Sequence, residues 1–216
     1  MFISFEGIDG SGKSTQIKLL QEKLGDEYHV ELAMRYQSPS IASALANLKA
    51  GLVESIKVIP LFPQYASASS GSVMQLVMEL VSKWQTIPPI SFVNSFHDNQ
   101  QMIEIFAENA AKHQPETYDH ILFSFHGLPE RQLLKCDHTG NYCLKNAACC
   151  QTYNDTNKFC YSAQGHHTAS LIAAEMGISK KTIYQYYENK SDLILDSALY
   201  LFETINSGID TQACVC

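Results

Sequence analysis

Short β-branched and aromatic runs alternate with helical stretches along most of this chain, and that alternation constrains the fold more than any single motif. Strand-like runs are read at 1–6, Val30–Met34, Ile56–Leu61, Ile90–Val93 and His120–Phe125. Helical periodicity falls between them at Lys13–Leu24, Ile41–Ala50, Val73–Trp84 and Gln101–His113. Strands joined by helices of this length predict a mainly parallel α/β sheet, because a parallel pair needs a long crossover. After Pro129 the pattern stops. Residues 135–165 are rich in Cys, Asn, Thr, Tyr and Gly and read as a loop or insertion. From Thr168 the chain reads as all-helical, with helices at Ala169–Met176, Lys180–Tyr187 and Asp192–Ile205. Gly177-Ile178-Ser179 forms the first turn between them, and Ser179 suits an N-cap.

The predicted organisation has three parts. Residues 1–29 form a phosphate-loop βα unit. Residues 30–167 form an α/β core that carries the insertion, and 168–216 form a small all-α segment with a tail. At 216 residues with 45% hydrophobic content the chain can bury a real core. The net charge of −7 argues against broad binding to nucleic acid or an anionic membrane surface. No apolar run is long enough for a membrane span, and the N-terminal run meets Glu6 and Asp9 with no basic stretch before it. A cytoplasmic location is expected.

Chemistry is suggested at several places. Gly7-Ile8-Asp9-Gly10-Ser11-Gly12-Lys13-Ser14 fits the phosphate-loop pattern between a strand and a helix. Glycines let backbone N–H groups close on phosphate oxygens, the helix N-terminus adds positive dipole, Lys13 reaches the outer phosphates and Ser14 can hold Mg²⁺. His126 follows the apolar run Ile121–Phe125, and a histidine at a strand end can ligate a metal or accept a proton. Five of the seven cysteines, Cys136, Cys143, Cys149, Cys150 and Cys160, crowd into one stretch, which suggests metal or cluster ligation before disulfides.

Three resemblances follow from these strings. Phe5-Glu6-Gly7-Ile8-Asp9-Gly10-Ser11-Gly12-Lys13-Ser14-Thr15-Gln16 resembles the opening of bacterial thymidylate kinase. That resemblance implies a Mg-nucleotide held by Asp9, Gly10, Gly12, Lys13, Ser14 and Thr15. The kinase's arginine-rich lid has no counterpart, since Arg35 and Arg131 are the only arginines.

The longest resemblance, over about residues 30–178, is to ferrochelatase, which inserts Fe²⁺ into protoporphyrin IX to make heme. It is carried by Met34-Arg35-Tyr36 with Pro39, by Pro60-Leu61-Phe62-Pro63-Gln64-Tyr65 with Ser70-Gly71-Ser72, and by Phe123-Ser124-Phe125-His126-Gly127-Leu128-Pro129-Glu130-Arg131. It implies His126 as the catalytic and metal-contacting residue, and Arg35 and Tyr36 as lining for the porphyrin. Some bacterial members carry a Cys-rich segment after the His motif that holds a [2Fe–2S] cluster. The resemblance places Cys143, Cys149, Cys150 and Cys160 as such ligands, where the family's next cysteine is Gly165 here. A cluster, a structural Zn²⁺ and free thiols all stay open. The glutamate that faces the histidine in the family's second half has no counterpart in its motif.

The third string, Ala173 to Leu193, resembles the DNA-binding head of TetR-type repressors. It implies that Lys181, Thr182, Tyr184, Tyr186, Tyr187 and Lys190 face DNA. The head's first helix is replaced by Cys-rich sequence. Taken together, the sequence reads as a composite of incomplete family pieces in which no one activity is whole. If the chain is an enzyme, the largest piece makes it a ferrochelatase-like lyase acting on porphyrin and Fe²⁺.

Overall fold

The computed structural model describes residues 2–4, 13–118, 121–146 and 148–178 of the 216-residue chain. For Phe2–Ser4, Lys13, Ser14 and Gln16 it describes the backbone alone. The elements run β1 Phe2–Ser4, α1 Lys13–Leu24, β2 Glu31–Ala33, α2 Ile41–Ala50, β3 Ile56–Pro60, α3 Ser72–Val81, β4 Ile90–Phe92, α4 Gln100–Ala111, α5 Glu130–Lys135 and α6 Tyr161–Glu175. A π-helical turn at Ser67–Gly71 leads into α3, and a 3₁₀ turn at Pro115–Thr117 follows α4.

The four strands make one sheet in the order β2-β1-β3-β4, with every pairing parallel. Phe2 pairs with Glu31 on one side and Val58 on the other, and Val58 in turn pairs with Phe92. Because β2 lies to one side of β1 and β3 to the other, the connections reverse direction at β1. In such sheets ligand sites form beyond the carboxyl ends of the strands at the reversal. The described loops after β2, β3 and β4 leave from that edge.

The core follows from the sequence periodicity. On α2, Ile41, Ala44, Leu45 and Leu48 recur at helical spacing and are all buried. On α3, Val73, Met74, Val77 and Val81 do the same. These two faces pack on Ala33 of β2 and on Ile56 and Val58 of β3. The alternation of β3, with Ile56, Val58 and Pro60 buried and Lys57 exposed, is that of a strand with one covered face. The α2 helix begins where the Ser40 hydroxyl oxygen accepts from the Ser43 N–H at 3.1 Å, an N-cap that satisfies one otherwise orphaned donor.

Two compact units are distinguished along the chain, 1–103 with 125–171, and 104–124 with 172–216. The first holds the sheet, the Cys-rich segment and most of α6. The described part of the second holds the rest of α4, the 3₁₀ turn and the end of α6, where Ile172 and Ala173 are buried.

Two expectations change here. Of the run His120–Phe125, read as a strand leading into His126, the described residues 121–125 form no strand. An apolar run becomes a strand only if a neighbour takes its N–H and C=O groups, and none pairs with it among the described residues. Leu122 and Phe125 stay largely exposed. The helix expected from Ala169 begins at Tyr161 and runs unbroken through Thr168 to Glu175, because the Cys160 carbonyl already accepts the Gln164 N–H at 3.0 Å. The helices expected at Lys180–Tyr187 and Asp192–Ile205 lie outside the described residues, as do Lys181, Thr182, Tyr184, Tyr186, Tyr187 and Lys190.

Leu48 is fully enclosed between α2, α3 and the sheet. Leu48→Ala should lower unfolding free energy in urea by about 2–5 kcal/mol. The exposed control Leu52→Ala should stay within about 0.5 kcal/mol of the parent.

Candidate functional site

Arg35 and Tyr36 sit in the loop after β2. The Arg35 Nε–H donates to the Ser72 hydroxyl at 2.8 Å, which ties this loop to the start of α3. The same guanidinium lies 4.8 Å from the centroid of the Tyr36 ring, and Tyr36 is 73% exposed. An aromatic ring of that size left open to solvent has a face to offer a flat ligand. The neighbouring turn is tightly built. A Cβ on Gly71 would stand 2.9 Å from the Tyr65 hydroxyl, so a side chain there would push that hydroxyl aside. Ser70, one residue earlier, is fully buried, with no hydrogen-bond partner for its hydroxyl among the described residues.

The loop after β3 is held from a distant part of the chain. Gln164 of α6 is buried, and its side-chain Oε1 accepts the Tyr65 N–H at 2.7 Å. Its amide donates to the Lys158 carbonyl at 2.7 Å. One helical turn on, the Thr168 hydroxyl accepts from the Gln64 amide at 3.0 Å and donates to the His97 carbonyl at 2.7 Å. The loops after β3 and β4 are therefore fastened to the same face of α6.

His126 is exposed, on the irregular stretch before α5. Its backbone N–H faces the Tyr161 phenol oxygen, and burial raises that phenol's pKa. Gly165 lies against the Phe125 ring, which a Cβ there would meet at 3.5 Å, ordinary contact. His126 makes no hydrogen bond or ring contact with Arg35 or Tyr36.

The Cys-rich segment is ordered by two polar side chains. One Asp137 carboxylate oxygen accepts from the Thr139 N–H at 2.9 Å and the Thr139 hydroxyl at 2.6 Å. The other accepts from the N–H groups of Tyr142 and Cys143 at 2.7 and 2.9 Å. These donors hold the carboxyl well below its ordinary range, the Thr139 hydroxyl first among them. Asn157 is buried, its amide donating to the carbonyls of Cys149 and Thr152 and its oxygen accepting the Asn154 N–H. Between them the sulfurs gather. Cys143, Cys149 and Cys160 are buried, Cys149 Sγ lies 3.7 Å from Cys150 Sγ, and no disulfide forms among the described cysteines.

Cys160 is the N-cap of α6. Its thiol is drawn down to about 6 by the Cys150 thiol and, more weakly, by the N–H groups of Ala163 and Ser162 and the Cys143 thiol, against the pull of burial. Cys143, by contrast, is pushed up to about 12, first by burial and then by Cys160. Cys150 also moves up, through its bond to Cys160. One thiolate is thus stabilised by two thiols.

A second polar cluster was not foreseen from the sequence. His97, Asp98 and His167 place one ligand atom each within 4.8 Å of the others. His97 is buried, and that burial lowers its pKa while Asp98 opposes the shift. The legible signal was the pair His97-Asp98 just after β4, at the carboxyl edge of a parallel sheet, together with His166-His167 on a helix.

Of the phosphate-loop residues, Asp9, Gly10 and Gly12 lie outside the described residues. Lys13 and Ser14 open α1, and Thr15 is exposed in its first turn.

The Ferrochelatase family model matches residues 12–192 of the chain. The chain belongs to the ferrochelatase family. Similar proteins include the ferrochelatase of Pseudomonas fluorescens strain Pf0-1, 39% identical over 150 residues, covering 69% of this chain and 44% of that protein. The ferrochelatase of Legionella pneumophila strain Paris is 34% identical over 201 residues, covering 91% of this chain and 59% of that protein. That of Pseudomonas syringae pv. syringae is 34% identical over 174 residues, covering 79% and 51%. The chain spans roughly half the length of these curated relatives. The family match takes in α1 and most of the string that resembles a repressor head. It gives no support to separate thymidylate kinase or repressor pieces, nor to a composite organisation.

The Cys160 thiolate makes stability depend on pH. A thiol whose pKa is depressed by folding contributes stability above its unfolded value, about 8.5, and loses it as pH falls through the folded value. The metal-free protein should therefore lose stability from the upper limit of that window down to about 6. Cys160→Ser should flatten that slope in denaturation midpoints measured across the window. Parallel pH profiles for the two proteins would refute the assignment.

Proposed function

We propose that the chain is a ferrochelatase-like protein that binds a porphyrin beside the loops after β2 and β3 and presents His126 to the reacting centre, with Fe²⁺ as the second substrate. The observation that carries this reading is the family match across residues 12–192, supported by Arg35, Tyr36 and the Leu61–Tyr65 string lying just after the parallel strands β2 and β3. Arg35, oriented by Ser72, offers a fixed cation to a porphyrin carboxylate, and the exposed Tyr36 ring offers a stacking face. Metallation removes two pyrrole protons. In this reading His126 accepts one of them or contacts the incoming metal, and its backbone N–H faces the Tyr161 phenol oxygen. Among the described residues no helix is long and apolar enough to cross a membrane.

The gathered thiols of Cys143, Cys149, Cys150 and Cys160 supply the donor set for a thiolate-held group, a [2Fe–2S] cluster or a structural Zn²⁺. Bound there, such a group would cross-link the segment that Asp137 and Asn157 already order.

A second reading rests on the sequence pattern Gly7–Ser14, which falls between β1 and α1 along the chain. It implies weak Mg-nucleotide binding in addition to the porphyrin site.

Titrating protoporphyrin IX into the purified chain tests the main reading. A saturable shift of the Soret band is expected. Arg35→Ala should weaken it on the order of ten- to a hundredfold through loss of a charged contact. His126→Ala should bind porphyrin but abolish metallation with Fe²⁺. No saturable shift, or a shift indifferent to Arg35→Ala, would rule the reading out. Saturable Mg-ATP binding that disappears in Lys13→Ala would establish the second reading, and no binding in the parent would dismiss it.

A further inference from the structure

His97, Asp98 and His167 come from two segments far apart in sequence and converge on one spot. His97 and Asp98 follow β4, and His167 projects from α6. The His167 Nδ1 and His97 Nε2 atoms stand 3.5 Å apart, long for a hydrogen bond. Two imidazole nitrogens bound to one tetrahedral ion at 2.0–2.1 Å are separated by about 3.3 Å, so the pair already stands near a ligand–ligand edge. A carboxylate oxygen of Asp98 completes a triad whose members all lie within 4.8 Å. Asp98 is exposed and can swing the remaining distance.

The rings are held in place by their surroundings. Tyr153 of the Cys-rich segment stacks on His167, with centroids 4.4 Å apart and planes 8° from parallel. It also meets His97 edge-on at 5.1 Å. The Thr168 hydroxyl clamps the His97 carbonyl. His97 is only 3% exposed, yet its Nδ1 has no hydrogen-bond partner among the described residues. While Nε2 faces the second imidazole, the buried Nδ1 is left unpartnered, which is costly for a merely structural histidine. Either ring nitrogen of His97 can supply a lone pair.

We propose that His97, Asp98 and His167 form a binding site for one divalent transition-metal ion, separate in its residues from His126 and from the cysteines. Two imidazoles and one carboxylate suit a borderline ion such as Zn²⁺, Co²⁺ or Fe²⁺ rather than Mg²⁺ or Ca²⁺. Three protein ligands leave at least one position open to water. This site does not rest on the porphyrin reading.

Co²⁺ titration of the full chain, followed by visible absorption, tests the proposal. Cobalt held by nitrogen and oxygen gives d–d bands without the near-ultraviolet thiolate charge-transfer band that cysteine ligation would add. The expected result is one such equivalent per chain. Its affinity should fall about tenfold or more in His167→Ala and in Asp98→Asn, since even outer-shell changes at metal sites have effects of that size. It should be unchanged in His126→Ala and Cys160→Ser. Asp98→Asn alters an exposed side chain, so the test survives if a histidine variant misfolds. The proposal is overturned if no thiolate-free band forms, if Asp98→Asn and His167→Ala leave it intact, or if His126→Ala removes it. Soret titration of the same variants reads the porphyrin site independently.

Discussion

Gln164 and Thr168, one turn apart on the buried face of α6, hold the loops after β3 and β4 through hydrogen bonds that span 99 and 104 residues for Tyr65 and Gln64. Those loops have no ladder of their own. Their buried backbone groups need partners, and α6 supplies them. Each such bond contributes only about 0.5–1.5 kcal/mol net, but leaving one buried group unpaired costs about 1–3 kcal/mol. The seam therefore specifies loop position more than it adds stability. The Gly71–Tyr65 approach depends on where Tyr65 is held, and the His97–His167 pair on where the His97 carbonyl is clamped.

Much of the sheet was legible in the sequence because periodicity reports burial. The α1 and α2 helices fall at the residues read for them, and α3, α4, β2, β3 and β4 differ by a few residues at their ends. The strand read before His126 was not borne out, since an apolar run says nothing about whether a partner strand is present. The early start of α6 was missed for a different reason. Its first turn, Tyr161 to Gln164, carries polar residues whose helical role comes from the Cys160 cap and the contacts of Gln164, both tertiary facts. The cysteine gathering was visible as composition, whereas the division into one thiolate and two thiols depends on which sulfur accepts the Cys150 thiol and, more weakly, the N–H groups at the start of α6. The His97–Asp98–His167 convergence joins residues 70 apart, and no local pattern encodes it.

The Cys-rich segment has a structural part in this arrangement as well as any part in binding. Asp137 and Asn157 fold it into successive turns, and Tyr153 from the same segment stacks on His167. Tyr153 thus joins the Cys-rich segment to the histidine pair by ring contacts. Arg35 and Tyr36 depend on a separate contact, the bond from Arg35 to Ser72 at the start of α3.

The central claim is that α6 positions the loops while the sheet stands without it. Amide hydrogen exchange of Tyr65 and Val93, compared between the parent and Gln164→Ala, tests this most directly. The Tyr65 N–H donates to Gln164 and the Val93 N–H to the Val58 carbonyl of β3. The account predicts that Tyr65 loses protection in the variant while Val93 keeps it. Retained protection at Tyr65, or equal loss at both amides, would contradict it.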